Sequence, residues 1–194
     1  MRIYWLLIGS LLPVLSSVTY AVSIVRGRSK PHRMTRFLLM LITALMLLSL
    51  LANHDRSGVW LALVSFIQAV GLWILSLRRG MGGRSTLDIA CLLLCMLGLI
   101  CWLVFGRAWI GLCAAIFADV IACTPALRKT IRWPHTEQGL FYFLDIFAGL
   151  FIILAGPFTA KAMVFPLYIA LINAVFACAI WVPRRTKLEA EEAA

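Results

Sequence analysis

The sequence predicts an all-α integral membrane protein with seven transmembrane helices, arranged as two parallel triple-helix repeats joined by a linker helix. Of the 194 residues, 63% are apolar and only 13% are charged, whereas a soluble domain of this size presents far more charge to water. Apolar runs long enough to cross a hydrocarbon core of roughly 30 Å recur along almost the whole chain. A short pattern is also repeated about 103 residues later, which indicates a duplicated unit.

The apolar runs and the charges that separate them give the expected helix bounds. The helices are predicted at residues 3–25, 37–53, 58–77, 86–106, 108–128, 139–158 and 160–182. Because the connections are short, successive helices are expected to pack as antiparallel neighbours. The resulting organisation is a first repeat at 1–79, a linker helix at 80–107, a second repeat at 108–185 and a disordered cytoplasmic tail at 186–194. A flexible glycine-rich joint is expected at 80–84, before the linker helix.

The repeat rests on two matched segments. Arg-Gly-Arg-Ser-Lys-Pro-His at 26–32 follows the first helix, and Lys-Thr-Ile-Arg-Trp-Pro-His at 129–135 follows the fifth. Gln-Ala-Val at 68–70 likewise corresponds to Asn-Ala-Val at 173–175. Three helices end on the side opposite their start, so two units of the same orientation need one extra crossing between them. Duplicated membrane units of this kind hold their cavity at the interface between the halves.

Basic residues are concentrated in alternate short loops. Of the eighteen Lys and Arg residues, fourteen fall in the segments 26–36, 78–84, 128–132 and 184–187. By the positive-inside rule these loops are cytoplasmic, which predicts a cell (inner) membrane protein with its N-terminus outside and its C-terminus in the cytoplasm. The same placement explains the net charge of +10 without a nucleic-acid partner.

No motif in the chain predicts an enzyme, a cofactor or a metal site. The six cysteines lie in apolar spans at spacings that match no zinc pattern, so they are interpreted as packing residues. A phosphate-binding glycine loop, a nucleophile elbow and a His-Glu-x-x-His helix are all missing from the sequence.

The loop Lys-Pro-His-Arg at 30–33 and the pattern at 125–137, with its Pro-x-x-Arg-Lys and Pro-His-x-Glu, carry a family resemblance. The chain resembles the PQ-loop and SWEET superfamily of small transporters, most of all uncharacterised bacterial members with a Lys-Pro-His loop. The resemblance implies three helices, a linker and three more, with Pro125 as a hinge and Gln68 and Asn173 as solute-contacting amides. Ala126 stands where the family's name-giving glutamine would follow the proline, and the sixth helix lacks a tryptophan to stack on a sugar.

Two carboxylates, Asp119 and Asp145, lie inside predicted spans. An ionisable group there costs about 2.5–3.5 kcal/mol on insertion scales, so it usually faces the bundle interior. Both aspartates fall roughly 9–13 Å from the basic helix ends, and they are expected to meet across the fifth and sixth helices. Two close carboxylates share a proton, which would suit proton coupling. Separate aspartates that fasten helices are the alternative.

Gln68 and Asn173 lie near the middle of their spans, where an amide suits a neutral or zwitterionic solute. Equally, amides fasten membrane helices to one another. No buried basic residue is expected beside them, which disfavours a strongly anionic solute. His32 and His135 each follow a proline at the membrane surface and are candidates for a pH-sensitive gate; alternatively, Pro-His shapes the turn into the next helix.

These observations favour a transporter or facilitator of a small polar solute, with a proton as the candidate coupling ion. Gln68, Asn173, Asp119 and Asp145 are its predicted substrate-binding residues. The alternative is a non-transporting receptor or assembly protein of the same fold that binds a partner through its basic loops. A membrane enzyme is a third hypothesis. The solute, the direction of transport and the oligomeric state are left open.

Overall fold

A computed structural model describes residues 2–52, 56–80, 86–105 and 108–181, which are helical almost throughout and contain no strand. The helices are α1 (Arg2–Val25), α2 (Arg33–Ala52), α3 (Arg56–Arg79), α4 (Thr86–Phe105), α5 (Ala108–Arg132), α6 (Gly139–Ala155) and α7 (Ala160–Trp181). A 3₁₀ turn, Pro134–Thr136, lies between α5 and α6. The predicted all-helical class is confirmed. The predicted tail at 186–194 and most of the glycine-rich joint lie outside the described residues.

Within the described residues, five helices (α1, α2, α3, α5 and α7) are long and apolar enough to cross a membrane, and α6 is a shorter apolar helix. These lengths are those of an integral membrane protein, because a helix needs about 20 apolar residues to span the hydrocarbon core. Many large apolar side chains on the outside of the bundle are exposed, among them Leu11, Ile67 and Phe117. A surface of this kind suits contact with lipid.

Two helices extend about one turn further at their basic ends than predicted. α2 begins at Arg33 and α5 ends at Arg132. The predicted bounds stopped at the charges, but Lys and Arg are good helix formers whose long stems cover apolar surface. α6 ends earlier than predicted, at Ala155, because Pro157 disfavours helical backbone at the residue before it.

The order in which the helices pack differs from the predicted order. In α1–α3 the third helix contacts both others, and in α5–α7 the third helix does the same. Within the described residues, α1 does not pack against α2, nor α5 against α6. The expectation that successive helices are always neighbours was therefore wrong. A connection of seven residues, such as 26–32, can span more than 20 Å, which exceeds one helix diameter of about 10–12 Å.

Contacts between the two sets of helices form the centre of the bundle. α1 packs against α6, α2 packs against α5, and α3 meets α7, while α4 lies against α5 and α2. The closest approaches use glycine. A Cβ atom at Gly149 would lie 2.6 Å from the carbonyl oxygen of Pro166, so only glycine allows α6 and α7 to come this close.

Candidate functional site: a polar cavity in the bundle

A cavity of about 120 Å³ lies between the two sets of helices; we call it the central cavity. Its walls are mostly apolar, but five acidic or basic side chains line it: His32, Arg36, Asp119, Glu137 and Asp145. The amides Gln68 and Asn173 line it as well. All four side chains predicted to bind a solute therefore face one space, which is large enough for several waters or one small molecule.

The cavity lies nearer to one end of the bundle. At the basic end, where the connections 26–32 and 133–138 lie, its lining reaches His32 and Glu137. Towards the opposite end lie buried apolar side chains such as Leu50, Leu112 and Phe165. Among the described residues, the polar lining reaches the helix connections on the basic side.

Asp145 joins three helices. Its Oδ1 accepts a hydrogen bond from the Ser16 hydroxyl at 2.6 Å, and its Oδ2 accepts one from Gln68 Nε2 at 3.3 Å. Ser16 lies on α1 and is fully buried, whereas Gln68 lies on α3. Asp145 therefore fastens α6 to both α1 and α3.

Asp119, on α5, has a different set of partners. The Tyr168 hydroxyl of α7 donates to its Oδ2, and the Cys123 thiol approaches the same oxygen at 3.8 Å. Its other oxygen, Oδ1, makes no hydrogen bond to the described residues. Asp119 as a whole is buried, with 7% of its surface exposed, and it lines the central cavity.

The expectation that the two aspartates meet across the fifth and sixth helices was wrong. Helices α5 and α6 do not pack against each other within the described residues, and no hydrogen bond joins Asp119 to Asp145 there. α7 lies between α5 and α6, so the carboxylates face the central cavity from different walls. They form two separate polar groups rather than one proton-sharing pair.

The two matched amides are used differently. Gln68 binds Asp145 across the helix interface. Asn173 donates its Nδ2 to the carbonyl oxygen of Ile169 in its own helix at 2.9 Å, which leaves its side-chain oxygen available to the cavity. Gln68 thus has a fastening contact, whereas Asn173 fastens no other helix among the described residues.

Arg36 corrects another expectation, since a basic side chain does line the cavity beside the carboxylates and amides. Sequence reasoning counted Arg36 among the loop residues, yet it lies in the first turn of α2. Its guanidinium carbon is 4.8 Å from the centre of the Tyr20 ring and 5.7 Å from that of Phe141. Such cation–π contacts help to hold the charge in a fixed position inside the bundle.

Glu137 is the centre of a hydrogen-bonded cluster at the basic end. Its Oε1 lies 2.6 Å from Lys129 Nζ, and its Oε2 accepts hydrogen bonds from Tyr20 at 2.7 Å and Tyr142 at 3.1 Å. Lys129 Nζ also donates to the Lys30 carbonyl oxygen. We call these residues the Glu137 cluster. The cluster connects the loop after α1 with the loop after α5. In the sequence, Glu137 was noted only as part of a Pro-His-x-Glu pattern.

The two Pro-His segments are not equivalent. His32 lines the cavity, and its Nδ1 accepts from the Thr35 backbone N–H at 3.3 Å, which caps the start of α2. His135 is exposed on the 3₁₀ turn. Pro125 lies within α5, whose helix continues through it to Arg132, and it does not line the cavity. A gating role for the histidines and a hinge at Pro125 remain predictions.

No group of three His, Cys, Asp or Glu side chains in the described part of the chain is arranged to hold a metal ion. Comparisons with protein-family models, with curated proteins and with solved structures find no match to this chain.

Proposed function

We propose that the protein is a membrane transporter or facilitator of a small polar solute that works by alternating access between α1–α3 and α5–α7. The observation that carries this proposal is the central cavity. It brings Gln68 and Asn173, the residues matched by the sequence repeat, into the same space as Asp119 and Asp145. Intramembrane carboxylates and amides that face a common cavity are typical of a solute or ion pathway.

The packing pattern supports a two-unit architecture with α4 as the linker. In each proposed unit the third helix lies against the first and second, and the contact of α1 with α6 has its counterpart in the contact of α2 with α5. If α1–α3 and α5–α7 are equivalent units, exchanging them converts the α1–α6 contact into the α5–α2 contact. We propose the arrangement of three helices, one linker and three helices on this basis.

Alternating access is supported by the difference between the two ends of the bundle. Buried apolar side chains such as Leu112 and Phe165 lie towards one end, while the cavity lining reaches the loops at the other. We propose that this conformation has its access at the basic end. The positive-inside rule makes that end cytoplasmic in a cell (inner) membrane, with the N-terminus outside. A proton is proposed as the coupling ion, and bending of α5 at Pro125 as the hinge motion.

The role of the basic loops as a partner-binding surface has less support. Lys129 is buried and bonded within the Glu137 cluster, and Arg36 faces the central cavity. The charges of Lys129 and Arg36 therefore face the interior of the bundle, where a partner protein on the surface would not contact them.

A binding screen followed by a flux assay tests the transport proposal. Thermal stability of the detergent-purified protein is recorded with sugars, amino acids and small polyols at pH 5.5 and 7.5. The variants are Asn173→Ala and Asp119→Asn, and the control is Gln138→Ala, an amide that lies outside the cavity. A solute should stabilise the parent and the control but neither cavity variant.

The same solute should cross the membrane of proteoliposomes that contain the parent protein, and an imposed pH gradient should change its rate of entry. If no solute stabilises the parent and none crosses the membrane, the proposal fails. The cavity side chains would then be helix fasteners.

A further inference from the structure

The central cavity contains the guanidinium group of Arg36, which carries a permanent positive charge. Among the described residues the one ion pair within 4 Å is Lys129–Glu137, so Arg36 has no carboxylate at that distance. Tyr20 offers Arg36 its ring face. A guanidinium carries five N–H donors in a planar fork, and donors remain that can reach the cavity.

The fixed guanidinium is suited to bind a carboxylate. Contact with the Tyr20 and Phe141 rings restrains the plane of the group. The edge of an arginine fork binds a carboxylate through two parallel hydrogen bonds, which are stronger than neutral ones. Because Lys129 already neutralises Glu137, Arg36 is the cationic group that the described lining offers to an anionic ligand, apart from His32.

A complementary negative group lies in the same cavity. Asp119 Oδ1 makes no hydrogen bond to the described residues, whereas both oxygens of Asp145 already accept one. Asp119 and Arg36 line the same cavity. The available oxygen of Asp119 can therefore bind an ammonium group, and the side-chain oxygen of Asn173 can accept another of its hydrogen bonds.

We propose that the central cavity binds a small zwitterion, with Arg36 binding its carboxylate and Asp119 binding its ammonium group. The proposal rests on the transport function above and names the class of solute. A free amino acid with a short apolar side chain has this chemistry. The cavity volume of about 120 Å³ favours a small member of the class, and apolar lining residues such as Leu39, Leu72 and Ile172 would contact the side chain.

Probes of similar size separate the charged groups. Alanine carries both charges, propionate lacks the ammonium group, ethylamine lacks the carboxylate, and glycerol is neutral. Binding is measured on the purified full chain by competition against radiolabelled alanine, with thermal shift as a second readout. Alanine should bind at least about tenfold more tightly than each of the other probes, the loss expected for a charge-assisted hydrogen bond.

Two variants assign the groups. Arg36→Gln should lower the affinity for alanine at least about tenfold, so that alanine and ethylamine bind with equal affinity. Asp119→Asn should lower the affinity for alanine by a similar factor, so that alanine and propionate bind with equal affinity. Arg36→Lys should retain part of the affinity, because it keeps the charge but loses the fork. The matched control is Arg33→Gln, an exposed arginine one turn away on α2, which should leave every affinity unchanged. Circular dichroism and gel filtration establish that each variant is folded.

The outcomes distinguish this inference from the transport proposal. If glycerol binds as well as alanine, or if folded Arg36→Gln binds alanine like the parent, the zwitterion assignment is overturned. The transport proposal would still hold in that case if a neutral solute crosses the membrane and its binding requires Asn173. If neither these probes nor any solute of the wider screen binds or crosses the membrane, both proposals fail together.

Discussion

The Ser16 hydroxyl donates a 2.6 Å hydrogen bond to Asp145 Oδ1, although the two residues are 129 positions apart in the sequence. The contact joins α1 to α6 at the edge of the central cavity. Ser16 also approaches the carbonyl oxygen of Pro13 in its own helix. A carboxylate that would be costly inside a membrane is thereby satisfied by a side chain from the other half of the molecule.

Replacing Ser16 by alanine should weaken the α1–α6 interface. Asp145 would lose its shortest hydrogen bond while staying buried, and interhelical bonds in membranes contribute about 0.6–2 kcal/mol. The measurement is the free energy of unfolding in mixed micelles as the fraction of denaturing detergent is increased. Ser17→Ala is the control, since among the described residues the Ser17 hydroxyl bonds to Pro13 of its own helix and to no other helix. Equal losses for both variants would contradict the assigned role of Ser16.

Removing one charge of the Lys129–Glu137 ion pair should destabilise the protein. Both side chains are largely buried, with 7% and 3% of their surfaces exposed. Glu137→Gln keeps an acceptor for Tyr20 and Tyr142 but leaves Lys129 without a counter-charge, which costs about 3–5 kcal/mol for a buried pair. Thermal unfolding of the purified variant measures this loss.

The double variant Lys129→Met with Glu137→Gln is the test of coupling in that pair. Removing both charges should recover about half or more of the stability lost in Glu137→Gln, because no unpaired charge remains. Arg128→Gln, an exposed neighbour in sequence, should change stability little. Additive losses in the double variant would show that the two charges do not depend on each other.

Gly149→Ala should force α6 and α7 apart. The added Cβ would lie 2.6 Å from the Pro166 carbonyl oxygen and 3.1 Å from the backbone nitrogen of Ala170, and backbone atoms cannot move aside cheaply. We expect a loss of about 1–3 kcal/mol in unfolding free energy. Gly71→Ala on α3 meets no atom within 4 Å and should be neutral or stabilise by up to about 1 kcal/mol. The assignment is wrong if Gly149→Ala is as stable as Gly71→Ala.

The matched amides should respond differently to removal. Gln68→Ala breaks a bond to Asp145 across the interface and should lower the unfolding free energy by about 0.6–2 kcal/mol. Asn173→Ala removes a bond within α7 and should change stability less, while it lowers the affinity for a bound solute. Stability and solute binding are measured on the same preparations. If Asn173→Ala loses as much stability as Gln68→Ala and still binds the solute like the parent, Asn173 holds helices together and does not bind solute.

Which residues would face the cavity was partly predictable from the sequence. A carboxylate or amide in an apolar span must turn inward, so Gln68, Asp119, Asp145 and Asn173 could be selected from polarity alone. Arg36 could not, because a basic residue near a helix end ordinarily reaches the membrane surface. Tyr168 and Ser16 were missed as well, since a hydroxyl in an apolar helix has many ordinary uses. Only their contacts with Asp119 and Asp145 single them out.

The sequence by itself determined the helical class, the approximate bounds of the helices and the inward direction of the polar side chains. These follow from local rules, because an apolar run of fixed length and a buried charge have few acceptable solutions in lipid. Only the tertiary structure decided that α3 and α7 pack between their partners, that Asp119 and Asp145 stay apart, and that Arg36 faces the cavity. Those features depend on close packing between different helices, and the pattern along a single helix does not encode which neighbour it will meet.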